Sequence, residues 1–387
     1  MPTTILRLTA VSLVILTGIL AGAQLGKIAP VILWYRDEIG LTLQGAGWLT
    51  AILGLFVAVA ALPTGLAIGR MGAVRATGYG SILLVVGGLA LAFLSAPVAI
   101  FGARLFEAVG YLVVCISLPA ILNDISPPRW KGPVLAIWSG FVPLGYATAD
   151  LLSAFLVPLG GVPVFLAVLT LLYGLLWLAS RLVLSGLHVG TATGPRAATG
   201  RALTAPILLV AAAFGLFVVL SVAFFTFLPS YALLGTLLLP AGLIALTVPA
   251  GNVLAGILVR DRPAGFMTGL AIAGFGVCAL AAPLAFDAGG GAVSTIAAIL
   301  VTICGALVAS SLFAAIPFVT PPGGSVATSL GIVSQAGGIG TLAGPPLAAW
   351  ILHDYGWSGF GWLLTATAVV GIGCLAPLAA GGMRRTA

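Results

Sequence analysis

Long apolar runs, cut by short groups of glycine, proline and charged residues, recur from one end of the chain to the other. About 20 helical residues cross a hydrocarbon core of roughly 30 Å, and these runs repeatedly reach that length. Cutting the chain at its punctuation predicts twelve membrane-spanning helices. They lie at about 6–34, 44–69, 77–96, 97–122, 133–158, 160–182, 203–228, 230–259, 264–286, 291–316, 325–352 and 358–381. The hydrophilic break SGLHVGTATGPRAATGR, residues 185–201, reads as a flexible linker. The expected organisation is an N-terminal six-helix half, 1–184, a cytoplasmic linker, 185–202, and a C-terminal six-helix half, 203–387. The halves echo one another. GLAIGRMGAVR (65–75) and GILVRDRPAG (256–265) each start on a glycine at the end of a span and enter a short arginine-bearing turn. Gly65 and Gly256 lie half a chain apart, which points to an internal duplication.

Composition strengthens the membrane reading. The chain is 61% hydrophobic and 6% charged, against about a quarter charged in a soluble domain, so lipid is its main solvent. Its formal charge of +7 does not indicate nucleic acid, because the basic residues are scattered one or two per loop. They report topology instead. With the N-terminus inside, Arg7, Arg70, Arg75, Arg129, Lys131, Arg181, Arg196, Arg201, Arg260, Arg262, Arg384 and Arg385 are cytoplasmic, twelve of fifteen. The exceptions are Lys27, Arg36 and Arg104. Both termini are therefore expected in the cytoplasm, and the first run, which passes Gly22 without a clear cleavage site, is expected to be a retained span. Cys115, Cys278, Cys304 and Cys374 lie in apolar segments without metal-ligand spacing and read as packing residues. His188 and His353 are the only histidines, and no triad, metal cluster or nucleotide-binding loop is visible, so an enzyme, a metal site and a cofactor are not expected. The preference for arginine over lysine and the richness in alanine and glycine suggest a GC-rich bacterial genome, hence a bacterial inner membrane. A monomer in the lipid bilayer is the expected state.

Twelve spans, a mid-chain linker and the short loop between helices 2 and 3 resemble the major facilitator superfamily of secondary transporters over essentially the whole chain. In that family the loop carries a glycine, an acid four residues on, then an arginine, a glycine and further basic residues. Gly65, Arg70 and Gly72 match, Gly69 replaces the acid, Ala73 and Val74 occupy trailing basic positions, and Arg75 falls one place late. Such a loop makes a tight turn whose cations can bond helix C-terminal carbonyls and stabilise one gating state. The bland alternative is a topology signal. The family's fourth helix often has an arginine, a polar residue three on and a glycine three beyond, which Arg104, Glu107 and Gly110 fit. Gly140, Pro143 and Gly145 in helix 5, and Gly337, Gly340, Gly344 and Pro345 in helix 11, resemble the antiporter motif loosely. Close helix packing is the simpler reading of that spacing.

Ionisable groups within a bilayer cost about 2.5 to 3.5 kcal/mol each, which makes them functional candidates. Arg104, Glu107 and Tyr111 share one face of helix 4. Asp150 lies in the antiparallel helix 5. At 1.5 Å rise per residue Arg104 and Asp150 both sit about 10 to 12 Å below the outer surface, and are expected to meet. One arginine would then neutralise one carboxylate at a time, leaving the other as a proton site. The competing reading is a static Arg104–Glu107 pair that holds helix 4 in place. Lys27, in LGKIAPVILWYRDE, either faces the cavity mouth or snorkels to the outer headgroups. If the family's fold holds, helices 1, 4, 7 and 10 line the cavity, and the electrically quiet second half would contribute Phe224, Phe225, Tyr231, Ser310 and Ser311. Phenylalanine there is more often packing than ligand contact. Asn252 and Gln335 suit a polar partner or a neighbouring helix.

These residues point to a proton-coupled carrier of a small organic or inorganic anion. Arg104, Lys27, Tyr111, Ser310, Ser311, Phe224 and Gln335 would bind substrate, and Glu107 or Asp150 would carry the proton. A drug/proton antiporter exporting lipophilic compounds and a non-transporting membrane sensor on the carrier fold are the alternatives.

Overall fold

A computed structural model describes residues 2–127, 134, 137–187, 204–259, 262–287, 289–321 and 326–380. The predicted linker falls almost entirely outside them. Among the described residues all regular structure is helical apart from one isolated bridge, Leu237 to Gly291. Hydrocarbon offers backbone groups no water to bond, so each span satisfies its own N–H and C=O groups as a helix.

Among the described residues ten helical runs are long and apolar enough to cross a membrane. Two of them are double spans: Phe141–Leu184 breaks at Gly161 (φ 76°) and Val326–Ala380 at Gly356 (φ 64°). Twelve spans result, numbered here as α1 to α12. They are α1 Pro2–Gly26, α2 Leu43–Met71, α3 Ala73–Phe93, α4 Pro97–Ile125, α5 141–160 and α6 162–184. The second six are α7 Ala205–Leu233, α8 in two pieces (Ala241–Ala245 and Val248–Leu258), α9 Ala264–Asp287, α10 Gly291–Val319, α11 326–355 and α12 357–380. Thr42 starts α2 by accepting the Gly45 N–H at 3.0 Å, and Pro97 stands in the first turn of α4, where no intrahelical N–H is needed. Gly72 alone separates α2 from α3. Its φ of 90° turns the chain in one residue, a conformation that side chains resist.

Two boundaries differ from expectation. The first span is interrupted after Gly26 by a 3-10 turn at Ala29–Val31, carrying Pro30, and resumes as Ile32–Asp37. The predicted eighth span began near 230, whereas α7 runs on through Pro229 to Leu233 and α8 starts at Ala241. The stretch TFLPSYALLGTLLLPAG is apolar throughout, so hydropathy could not register the turn at Gly235 (φ 73°) or the stop before Pro240.

Among the first six spans α1 packs on α5 and α6, α3 on α4 and α6, and α2 on α4; among the second six α7 packs on α11 and α12, α9 on α10 and α12, and α8 on α10. The two sets meet where α2 lies along α11 and α5 against α8. Small residues permit the approach. A side-chain carbon at Gly145 would lie 2.2 Å from the Gly22 backbone, and one at Gly338 would lie 2.4 Å from the Ala58 nitrogen across α2 and α11.

Candidate functional site

The interruption of α1 creates the site. A helix end leaves carbonyls without N–H partners, and the Gln24 carbonyl takes one from Arg104 Nη1 at 3.0 Å. Arg104 Nε donates to the Leu49 carbonyl of α2 at 2.7 Å, so one guanidinium ties α1, α2 and α4 together. Arg104 Nη1 also donates to Glu107 Oε2 at 2.7 Å, one helical turn along α4. The other Glu107 oxygen accepts from Lys27 Nζ at 2.5 Å, and Lys27 Nζ donates in addition to Gln24 Oε1 at 2.8 Å. Gln24, Lys27, Arg104 and Glu107 have no exposed surface. Lys27 directly follows the C-terminal end of α1, where the helix dipole eases the uptake of positive charge.

A pair of glycines in α3 makes room for this network. A side-chain carbon at Gly87 would sit 2.7 Å from Glu107 Cγ, and one at Gly88 would sit 2.9 Å from Glu107 Oε1 and 2.6 Å from Thr170 Oγ1 of α6. In their ordinary forms the ionisable members are two cations and one carboxylate. Donor capacity is left over as well, because Arg104 Nη2 and the hydroxyls of Tyr35 and Thr50 are buried without partners among the described residues. Tyr35 feels the charges of both Arg104 and Glu107.

One expectation is corrected here, and one of two alternatives falls away. Asp150 does not join Arg104; its Oδ2 accepts the Gly242 N–H of α8 at 2.5 Å, in a small pocket lined by Tyr146, Phe225, Leu228 and Pro229. Equal depth is not equal azimuth: Tyr146 and Asp150 share the face of α5 that meets α7 and α8, and the Tyr146 hydroxyl lies 3.1 Å from Thr226 Oγ1. Lys27 does not snorkel to the headgroups, because Glu107 and Gln24 hold it inside the bundle.

The remaining predicted site residues are dispersed. Tyr111 is buried and has Cys115, one helical turn on, as its neighbour along α4. Ser310 donates to Asn252 Oδ1 at 2.9 Å, Ser311 is buried with an unpartnered hydroxyl, and Gln335 donates to the Ala58 carbonyl at 2.8 Å, bridging α11 to α2. Phe224 belongs to a buried aromatic cluster and meets Phe225 and Phe286 edge-on. Of the predicted gating residues Gly65 lies inside α2, where a side-chain carbon would come into ordinary contact with Ile116 at 3.9 Å, Gly72 makes the turn and Arg75 is exposed, while the Arg70 side chain lies outside the described residues. Sequence reasoning passed over Gln24 and Tyr35. Gln24 carried a signal: it is a lone amide in the first apolar run, three residues before Lys27 and so on the same helix face.

Known proteins agree with this architecture. The chain is 25% identical to the arabinose-proton symporter of Escherichia coli (strain K12) over 134 residues, 35% of this chain and 28% of that protein. It is 25% identical to the galactose-proton symporter of the same strain over 136 residues, 35% of this chain and 29% of that protein. The match thus spans less than a third of the length of these relatives. A bacterial homologue of the human lysosomal transporter Spinster, in an inward-facing and unoccupied conformation, superposes with a TM-score of 0.73 at 14% identity, covering 97% of this chain and 96% of the other. The human organic anion transporter MFSD10 superposes with a TM-score of 0.67 at 17% identity, covering 97% of this chain and all of the other, 100%. At such identities the two superpositions speak for the fold. The model of the Major Facilitator Superfamily matches residues 14–328, and with its twelve apolar spans the chain belongs to that family.

Proposed function

We propose that this transporter carries a small organic or inorganic anion together with protons, by alternating access of the halves 1–184 and 203–387 across a bacterial inner membrane. The observation that carries the reading is the sealed cluster of Lys27, Arg104 and Glu107, with one cation more than it has acids and one guanidinium nitrogen unpartnered. Guanidinium is a planar fork suited to carboxylate or phosphate oxygens. Glu107 already occupies one side of that fork, so an incoming anion competes with a resident carboxylate, and the outcome is sensitive to protons. Partial similarity to two proton symporters supports the coupling. The halves touch through small residues and a few bonds, Gln335 to Ala58, Asp150 to Gly242 and Tyr146 to Thr226, an interface suited to rocking. Both termini and the linker at 185–202 face the cytoplasm in this reading, the chain works as a monomer, and the loop bearing Gly65, Arg70, Gly72 and Arg75 steadies one gating state.

A second reading, exchange of lipophilic compounds for protons, is favoured by one feature, the buried aromatic cluster of Phe224, Phe225, Tyr231, Phe286, Trp357 and Phe360. Proteoliposomes holding a trapped pH dye separate the two, with protein-free liposomes as the blank for passive entry. Internal acidification on adding pooled small carboxylates and phosphate, lost in Arg104→Gln, is the expected result. Alkalinisation by lipophilic cations with no response to anions would overturn it in favour of exchange. Acidification by arabinose or galactose alone would assign a neutral sugar instead.

A further inference from the structure

Lys27, Arg104 and Glu107 share one volume from which solvent is excluded, and in their ordinary forms they sum to one positive charge. An uncompensated charge in such a place is strongly disfavoured. Arginine does not give up its proton in proteins. Protonating Glu107 would raise the excess to two charges and would break one of the contacts that occupy both of its oxygens. Loss of a proton from Lys27 is the remaining route to neutrality within the cluster. The geometry matches: Lys27 Nζ has two acceptors among the described residues, Glu107 Oε1 and Gln24 Oε1. A neutral amine has two hydrogens to donate, whereas an ammonium has three.

We propose that Lys27 carries the coupled proton: uncharged in the empty carrier, it becomes an ammonium when an anionic oxygen group docks on the free Nη2 of Arg104 beside the Tyr35 hydroxyl. The assignment rests on the proton-coupled anion reading and displaces Glu107 and Asp150 from the proton-carrying role. Charges balance in both states. Empty, the neutral amine, Arg104 and Glu107 sum to zero; loaded, the added anion offsets the ammonium. The proton comes from water on the side to which the site is open and leaves on the other side with the anion. Around the amine the charged and titratable neighbours are Arg104 and Glu107 from α4, Tyr35 from the helix after the break, and Tyr146 from α5, which packs on Gly26. Both tyrosines are neutral near neutral pH, and Asp150 is engaged with Gly242. The place of Lys27 at the interruption of α1 also suits a group that changes state, since a broken helix can adjust there at little cost.

The chain contains two lysines, Lys27 and Lys131, so Lys131→Arg leaves Lys27 alone. Isotope-labelled lysine in that protein, in lipid nanodiscs, gives one side-chain NMR signal whose shift reports amine or ammonium. An amine in the empty protein at neutral pH, converting to ammonium on adding a pool of lactate, succinate and phosphate, is the expected result. An ammonium in the empty protein throughout the neutral range overturns the assignment. Lys27→Met, which keeps the neutral charge balance of the empty state but gives up its two buried hydrogen bonds, should stay folded and lose anion-driven acidification of liposomes; retained acidification in it also overturns the assignment. If the wild-type protein shows no acidification with any anion, the functional reading fails, and the NMR signal of the empty protein still decides for or against Lys27 as the titrating group.

Discussion

The first and second sets of six spans share a topology but cohere by different physics. In the first set Lys27, Arg104, Glu107 and Gln24 are joined by directional, charge-assisted bonds that tolerate one geometry. In the second, Phe286 meets Phe224, Tyr231, Trp357 and Phe360 at centroid distances of 4.8 to 5.9 Å, in contacts without a hydrogen-bond direction. Lipid is as apolar as these side chains, so helices there hold together by fit and by the occasional polar bond. A carrier built this way can keep its chemistry in one rigid half and use the other as a smooth wall that changes its angle.

The largest expected effect tests the charged side. Glu107→Leu leaves Lys27 and Arg104 facing each other without a counter-charge and should cost about 3 to 5 kcal/mol, read as a lowered melting temperature in detergent. Adding Lys27→Met should recover part of that loss, because it removes the buried amine that Glu107→Leu leaves without its acceptor. Unchanged stability in the single variant would mean that the cluster is open to water and that the contrast between the halves is false.

Phe286→Ala removes the centre of the aromatic cluster and should cost about 3 kcal/mol, with proton movement per transported anion unaltered. A changed coupling ratio in this variant would show that the apolar half takes part in the chemistry.

Gln335→Leu removes one bond between α11 and α2 and should cost only about 0.6 kcal/mol. Its effect should fall on the balance between gating states, read as altered labelling of single cysteines placed along α2. Identical labelling in variant and parent would exclude Gln335 from the contacts that hold this interface closed.

The twelve spans were legible because apolar length is local: each run needs about 20 residues whatever surrounds it. Arg104 and Glu107 were legible for a related reason, since a buried charge is costly in any fold. The turn between α2 and α3 was legible as a short glycine-bearing loop, residues 70–76 between the predicted spans, which the structure narrows to Gly72 alone. The gap between Leu233 and Ala241 was not, because its residues are as apolar as the helices on either side. Nor was the separation of Asp150 from Arg104. Rise per residue gives depth, but the rotation of α5 about its axis depends on contacts such as Gly145 against Gly22, more than a hundred residues apart in the chain.

By itself, then, the sequence determined the solvent, the number of spans and which charges had to be accounted for, because those follow from transfer free energies summed over neighbouring residues. Only the tertiary structure decided that Lys27 turns inward to Glu107, that Arg104 closes the broken end of α1, and that Asp150 is spent on α8. Those outcomes depend on the rotation and close approach of helices, which Gly87, Gly88 and Gly338 permit by having no side chain, and which no single span encodes.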